Sequence, residues 1–149
     1  MKRAAGEGRA ESRPCVFCEI VAGRATAFEV LRTDAVVAFL DTRPLFSGHT
    51  LLVPTVHVRT FAELPLGLAS EWVDALQRLE RAVERACEAD GSLLLVNSVV
   101  SQSVPHLHQH VIPRRTGDGL RFWLGPRRPY ADEAAARAVA DRIRAALEA

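Results

Sequence analysis

The chain has 149 residues, 48% of them hydrophobic, and a formal net charge of +1. Length and apolar content predict one globular domain with a real core, and they exclude a disordered chain. The near-neutral balance argues against a general nucleic-acid grip, and no apolar run approaches the roughly 18–20 residues that cross a membrane.

Residues 1–13 lack the apolar stretch of a secretion signal and read as a flexible tail, so the expectation is a cytoplasmic protein whose single domain spans 14–149. Cys15 to Gly23 reads as a short helical turn, and Cys15 and Cys18 form a C-x-x-C pair. That pair alone has three readings: a redox couple, half a zinc site, or two incidental thiols. With Cys87 the cysteine count is odd, which argues against a disulfide scaffold. Phe28 to Arg32 and Val36 to Leu40, separated by Thr33-Asp34, predict a hairpin. Asp41-Thr42-Arg43-Pro44 breaks the second strand, Phe46-Ser47-Gly48 turns, and His49 to Val53 is a third strand stopped by Pro54. Leu68, Trp72, Leu76, Leu79, Val83 and Cys87 recur at helical spacing, with Ser70 as an N-cap or turn residue and Asp90-Gly91 as the stop. Leu93 to Asn97 and His106 to Ile112 follow as strands, the latter stopped by Pro113. Residues 116–130 hold three glycines and two prolines and read as a loop. Asp132 is the expected N-cap of a last helix bearing Val139, Ile143 and Leu147. The sum is an α+β domain around about five strands, with antiparallel pairing favoured by the short connections.

The chemistry concentrates in PHLHQHVIPRR. A strand sends alternate side chains to one face, so His106, His108 and His110 would line one surface, with Leu107, Gln109 and Val111 on the other. Such a row implies proton transfer, covalent catalysis or metal binding. Over a regular strand His106 and His110 stand about 13 Å apart, too far for one metal with bonds of about 2 Å, so a division of labour fits better. The bland alternative, buried histidines with satisfied hydrogen bonds, loses ground because desolvating three imidazoles without a task is costly. The preceding Ser101-Gln102-Ser103-Val104 offers hydroxyls, an amide and backbone N–H groups suited to a phosphate, or forms a simple polar turn. Arg114, Arg115, Arg121, Arg127 and Arg128 are either a solvated basic surface or partners of an anionic ligand.

With QSV-P-HLHQHVI in view, together with FLDTRPLFSGHTLLVPTVHV and CVFCEIVAG upstream, the chain resembles the histidine triad (HIT) family in its zinc-bearing bacterial-type branch, over about residues 15–130. The resemblance implies a HIT-like fold: an antiparallel sheet of about five strands, one long central helix and a C-terminal helix. It implies a nucleotide substrate, an adenosine 5′-phosphate derivative cleaved at the α-phosphate. His108 then corresponds to the nucleophile, and His110 to the residue that contacts phosphate and assists proton transfer. His49 completes the phosphate site, with His106 as the first triad member. Asp41 would hold ribose hydroxyls, Thr42 and Phe17 the base, and Asn97, Gln102, Ser103 and Val104 the phosphate side. A structural zinc held by Cys15, Cys18, His57 and His106 follows from the same likeness, as does a homodimer using Leu68 to Cys87. Two features depart from the family pattern. Gln109 takes a usually apolar position facing away from the histidines, and Pro105 fixes the entry into the triad. In the loop ahead of the last helix, Trp123 and Arg127 suit closure over a nucleotide, a dimer contact or a plain structural role. An AMP-binding regulatory module and a catalytic metal site built on HLHQH are the competing readings.

Overall fold

A computed structural model describes residues 14–121 and 127–148. Five strands form one antiparallel sheet in the order β1-β2-β3-β5-β4: β1 (Glu29–Arg32), β2 (Val36–Leu40), β3 (Thr50–Pro54), β4 (Gly91–Val96) and β5 (Gln109–Arg114). Three helices accompany it: α1 (Val16–Val21), α2 (Ala69–Ala86) and α3 (Glu133–Leu147). By its internal contacts the chain divides into two compact units, residues 1–118 and 119–149. The sheet, α1 and α2 belong to the first.

Alternation along β2 and β3 explains how the sheet is covered on both sides. Val36, Ala38 and Leu52 face α2 and pack with Trp72, Ala75, Leu79 and Val83. Their neighbours Val37, Phe39, Leu51 and Val53 face the other way and pack with Phe17 and Ile20 of α1. Every residue of β3 is buried, so it reads as a continuous apolar run. Each large side chain buried this way contributes about 1.5–3 kcal/mol.

The hairpin turn forms as its sequence predicts. The Thr33 hydroxyl accepts from the Ala35 and Val36 amides at 3.1 Å, and the Thr33 amide donates to the Val36 carbonyl at 2.9 Å. α2 begins within a residue of the expected start and differs at its C-terminal end. Its N-terminus is Ala69, entered from a 3-10 turn over Leu66–Leu68, and Ser70 lies inside the first turn rather than capping it. At the other end Glu88, at φ +51, takes the left-handed position expected of Gly91, and Gly91 opens β4 instead. Glu88 is held there by Arg115, whose guanidinium donates to the Cys87 and Glu88 carbonyls and so satisfies the helix end. The two prolines expected to stop strands lie within them. Pro54 closes the β3 ladder opposite Val36, and Pro113 sits beyond the last β3–β5 pair, where only β4 borders it.

Gly48 has a stricter requirement. It turns at φ +94, and any Cβ there would press into the Cys87 thiol. This close approach seats the turn that delivers His49 at the head of β3.

In the second unit, Asp132 caps α3 as expected, accepting from the Ala135 amide at 2.7 Å. Glu133 and Arg137 form an i,i+4 pair on its surface at 2.6 Å. Residues 122–126, with Trp123, lie outside the described residues.

Candidate active site and metal centre

Only His110 of the histidine row is on a strand. β5 begins at Gln109, and His106 to His108 arrive on an unpaired extended segment. This corrects the expected strand over 106–112. Pro105 and the turn in which the His106 amide donates to the Val104 carbonyl at 2.8 Å leave no room for a ladder partner there. The alternation of faces survives regardless. Leu107 is fully buried in the α2 core and its amide donates to the Val58 carbonyl at 2.7 Å. Gln109 pairs with Leu52 on that same side. The three imidazoles therefore turn together toward α1.

Hydrogen bonds fix the form of each ring. The His108 Nδ1–H donates to the His106 carbonyl at 2.7 Å, which leaves the Nε2 lone pair free. The Leu45 amide donates to His49 Nδ1 at 3.1 Å, so His49 carries its proton on Nε2 and donates to His110 Nδ1 at 2.9 Å. His110 then holds its own proton on Nε2. Burial first, then the neighbouring His108 and His49, push the His110 pKa down to about 4, against an opposing pull from Asp41. Burial lowers His49 as well, again opposed by Asp41. At neutral pH His49 and His110 are therefore uncharged links in one directional chain, with a donor at its end.

His108 and His110 line a cleft of about 790 Å³. One wall is apolar and comes from α1, β1's approach and β2: Val16, Phe17, Ile20, Phe28 and Phe39. The other side carries Asp41, Thr42, Arg43, Ser103 and Val104. Asp41 Oδ1 accepts from the Arg43 amide at 2.8 Å, and its Oδ2 lies 3.7 Å from His49 Nε2. Of the anticipated ligand-side residues, Asn97 and Gln102 are not among those lining the cleft. Asn97 stands just past the end of β4. The Gln102 side chain donates to the Arg59 carbonyl at 2.6 Å and accepts from the Val99 amide at 3.3 Å, tying down a loop in which Val99 and Ser101 both take positive φ.

Beneath the cleft, Cys15, Cys18, His57 and His106 converge, one potential ligand atom from each lying within 4.8 Å of the others. His106 is fully buried, and its Nε2–H donates to the Pro54 carbonyl at 3.0 Å. Its Nδ1 lone pair consequently points at the thiols, 3.5 Å from Cys15 Sγ and 3.6 Å from Cys18 Sγ. His57 Nδ1 lies 3.1 Å from Cys18 Sγ. Ligand atoms on metal bonds of about 2.0–2.3 Å in a tetrahedron stand roughly 3.5 Å apart, so two thiols and two imidazoles at this spacing suit zinc. The carbonyl behind His106 supplies the outer hydrogen bond that metal-binding histidines ordinarily have. Burial, followed by its hydrogen bond to Cys15, raises the Cys18 pKa, and a bound cation would take the proton's place.

Apart from Phe17, the apolar wall was not foreseen, and neither was Arg43. Phe39, Leu51 and Ile20 carry the same alternation as core positions, so their second surface is invisible in a linear pattern. Phe28, 78% exposed ahead of β1, was the available signal. The basic cluster after the triad is partly structural: Arg114 pairs with Asp118, and Arg115 caps α2.

Comparison with known proteins places the fold and the family. The HIT domain model matches residues 22–117. An uncharacterised HIT-like protein of Mycobacterium tuberculosis is 37% identical over 114 residues, covering 75% of this chain and 79% of its own. An adenylylsulfatase of Arabidopsis thaliana is 33% identical, covering 77% of this chain and 61% of its own. Among solved structures, a Streptococcus mutans protein superposes with a TM-score of 0.82 at 30% identity, covering 98% of this chain and 94% of its own. A zinc-bound histidine triad family protein of Mycobacterium smegmatis gives 0.68 at 34% identity, covering 89% and 97%. The chain belongs to the histidine triad family, in the branch whose solved members include a zinc-bound protein.

Proposed function

We propose that this protein is a nucleotide hydrolase or transferase that cleaves adenosine 5′-phosphate derivatives at the α-phosphate through a nucleotidyl-His108 intermediate. The observation that carries the reading is the His108 Nδ1–H bond to the His106 carbonyl, which leaves Nε2 as the ring nitrogen available for attack in a nucleotide-sized cleft. In the first step the Nε2 lone pair forms a bond to the α-phosphorus and the bond to the leaving group breaks. The departing group leaves with the bonding electron pair, its developing negative charge stabilised by hydrogen bonds from the His110 Nε2–H and the Ser103 hydroxyl. In the second step water attacks the phosphorus, the P–N bond breaks, one water proton passes to solvent, and the nucleoside monophosphate is released with the His108 imidazole regenerated. Splitting one displacement into two easier ones is the gain of covalent catalysis, and positioned proton transfer typically adds about 10²–10⁴ in rate.

Asp41 is suited to the ribose hydroxyls, Thr42 and the α1 wall to the base, and Ser103 and Val104 to the phosphate. Gln102 serves by holding their loop. Cys15, Cys18, His57 and His106 would hold a zinc ion, which would supply cross-linking of α1 to the triad segment rather than chemistry. Leu94, 38% exposed on the edge strand β4, marks an open sheet edge suited to a second copy of the chain, with the outer side of α2 beside it. A sedimentation mass that stays at 16.3 kDa at micromolar concentration would exclude that homodimer.

The reading is tested by a panel of adenylyl sulfate, diadenosine tetraphosphate and adenosine 5′-phosphoramidate with their guanosine counterparts, products resolved. AMP is the expected common product of the adenosine series. Turnover of none of them would favour the AMP-binding module instead.

A further inference from the structure

We propose that metal occupancy at Cys15, Cys18, His57 and His106 sets the affinity of the nucleotide cleft, with Phe17 as the positioning residue that joins the two sites. The inference rests on the zinc and nucleotide assignments above and goes beyond them, because it makes the two sites energetically one.

α1 is short. A helix of six residues does not persist in water by its own hydrogen bonds. Three things hold it against the sheet. At its C-terminal end Arg32 donates to the Val21 carbonyl at 3.0 Å and the Ile20 carbonyl at 3.4 Å. In the middle, Phe17 and Ile20 are buried against β2 and β3. At the N-terminal end, among the described residues, Cys15 packs at the edge of the same apolar cluster and the two thiols are directed at His57 and His106. A bound metal would be the strong tie among these for that end of the helix.

The same short helix is a wall of the cleft, through Val16, Phe17 and Ile20. Phe17 sits between the two candidate ligands of the C-x-x-C pair. Its ring edge meets both triad rings, with centroids 5.9 Å from His106 and 5.3 Å from His108, and it packs on Phe39 at 5.5 Å. A ring in that position cannot follow α1 away from the metal without opening the cleft beside His108. A second link is independent of Phe17: His106, whose side chain faces the thiols, gives its backbone carbonyl to His108 Nδ1. Two consequences separate these links. The Phe17 link acts mainly on binding, and the His106 link on the orientation of the nucleophile.

Coupling between two sites is reciprocal, and factors of about 5–150 are typical. If the cation tightens the nucleotide cleft, AMP must tighten the cation to the same extent. The test measures zinc affinity of the full-length protein in metal buffers of fixed free zinc, with and without saturating AMP. The fixed free-zinc level removes any contribution from AMP's own affinity for the ion. AMP is expected to strengthen zinc binding about tenfold. Phe17→Ala is expected to keep stoichiometric zinc and abolish most of that factor, with KM raised far more than kcat is lowered. Phe17→Leu, which keeps an apolar filler and the fold, is expected to restore part of it. Unchanged zinc affinity while calorimetry shows AMP bound would overturn the coupling and leave the nucleotide assignment standing. Failure of the zinc-loaded protein to bind AMP at all would overturn both.

Discussion

Replacing His108 with alanine is expected to lower turnover by roughly 10⁴–10⁶-fold, the scale seen when a covalent nucleophile is removed from an otherwise intact site. AMP affinity is expected to change only a few-fold, because the ribose and base contacts proposed for Asp41, Thr42 and the α1 wall are untouched. Steady-state kinetics with calorimetry on the same preparation checks both halves. The combination separates two readings that share a cleft: an enzyme loses its chemistry and keeps its ligand, whereas a binding module has no turnover to lose. Residual activity above about one per cent would remove His108 from the nucleophile's position. His110 differs in kind. It lies at the end of the hydrogen-bonded chain from Leu45 through His49, and with its pKa at about 4 it stays neutral and donor-ready at physiological pH.

The second large effect is on stability. Changing Cys15 and Cys18 together to serine is expected to abolish stoichiometric zinc and lower the melting temperature by about 10 °C. The size follows from linkage. A ligand that binds only the folded state at about a thousand times its Kd contributes about 4 kcal/mol, and a chain of this length shifts by roughly 2–4 °C per kcal/mol. Elemental analysis of untreated protein and a thermal melt before and after chelation are the measurements. Absence of zinc in the untreated protein, together with an unchanged melt in the double variant, would end the metal assignment. The thiols would then be an unused pair beneath the cleft.

How far the fold was legible depends on what each element answers to. α2 was legible because one face of it meets the sheet, so Trp72, Leu79 and Val83 repeat at helical spacing. The β1–β2 hairpin was legible because Thr33 closes its own turn. The C-terminal end of α2 was not, because Glu88 is held in a left-handed conformation by Arg115, a residue twenty-seven positions away. Propensity would place glycine there; a guanidinium on the helix-end carbonyls does the work instead. The start of β5 was misjudged for a related reason. Alternation of faces is a property of extended chain, paired or not, so PHLHQH showed which way the rings turn and not where the ladder begins.

Within the site, the triad was visible because three imidazoles in strict alternation are chemically costly to bury, whereas the set Cys15, Cys18, His57 and His106 came from the family likeness. The apolar wall beyond Phe17 was not visible, since Phe39 and Ile20 serve core and cleft with the same side chain. Gln102 shows the converse. It reads as a phosphate-side donor in the motif, yet its amide is spent on the Arg59 carbonyl, and its contribution is to the shape of the loop.

The most direct test of the account is to trap the intermediate. The protein is mixed with an adenylyl substrate labelled at the α-phosphorus, quenched within a turnover at alkaline pH, and the labelled peptide sequenced. The account predicts a stoichiometric, acid-labile adenylyl group on His108, labile because protonating Nδ1, the ring nitrogen away from phosphorus, makes neutral imidazole the leaving group. Label on any other residue, or none during sustained turnover, would contradict it.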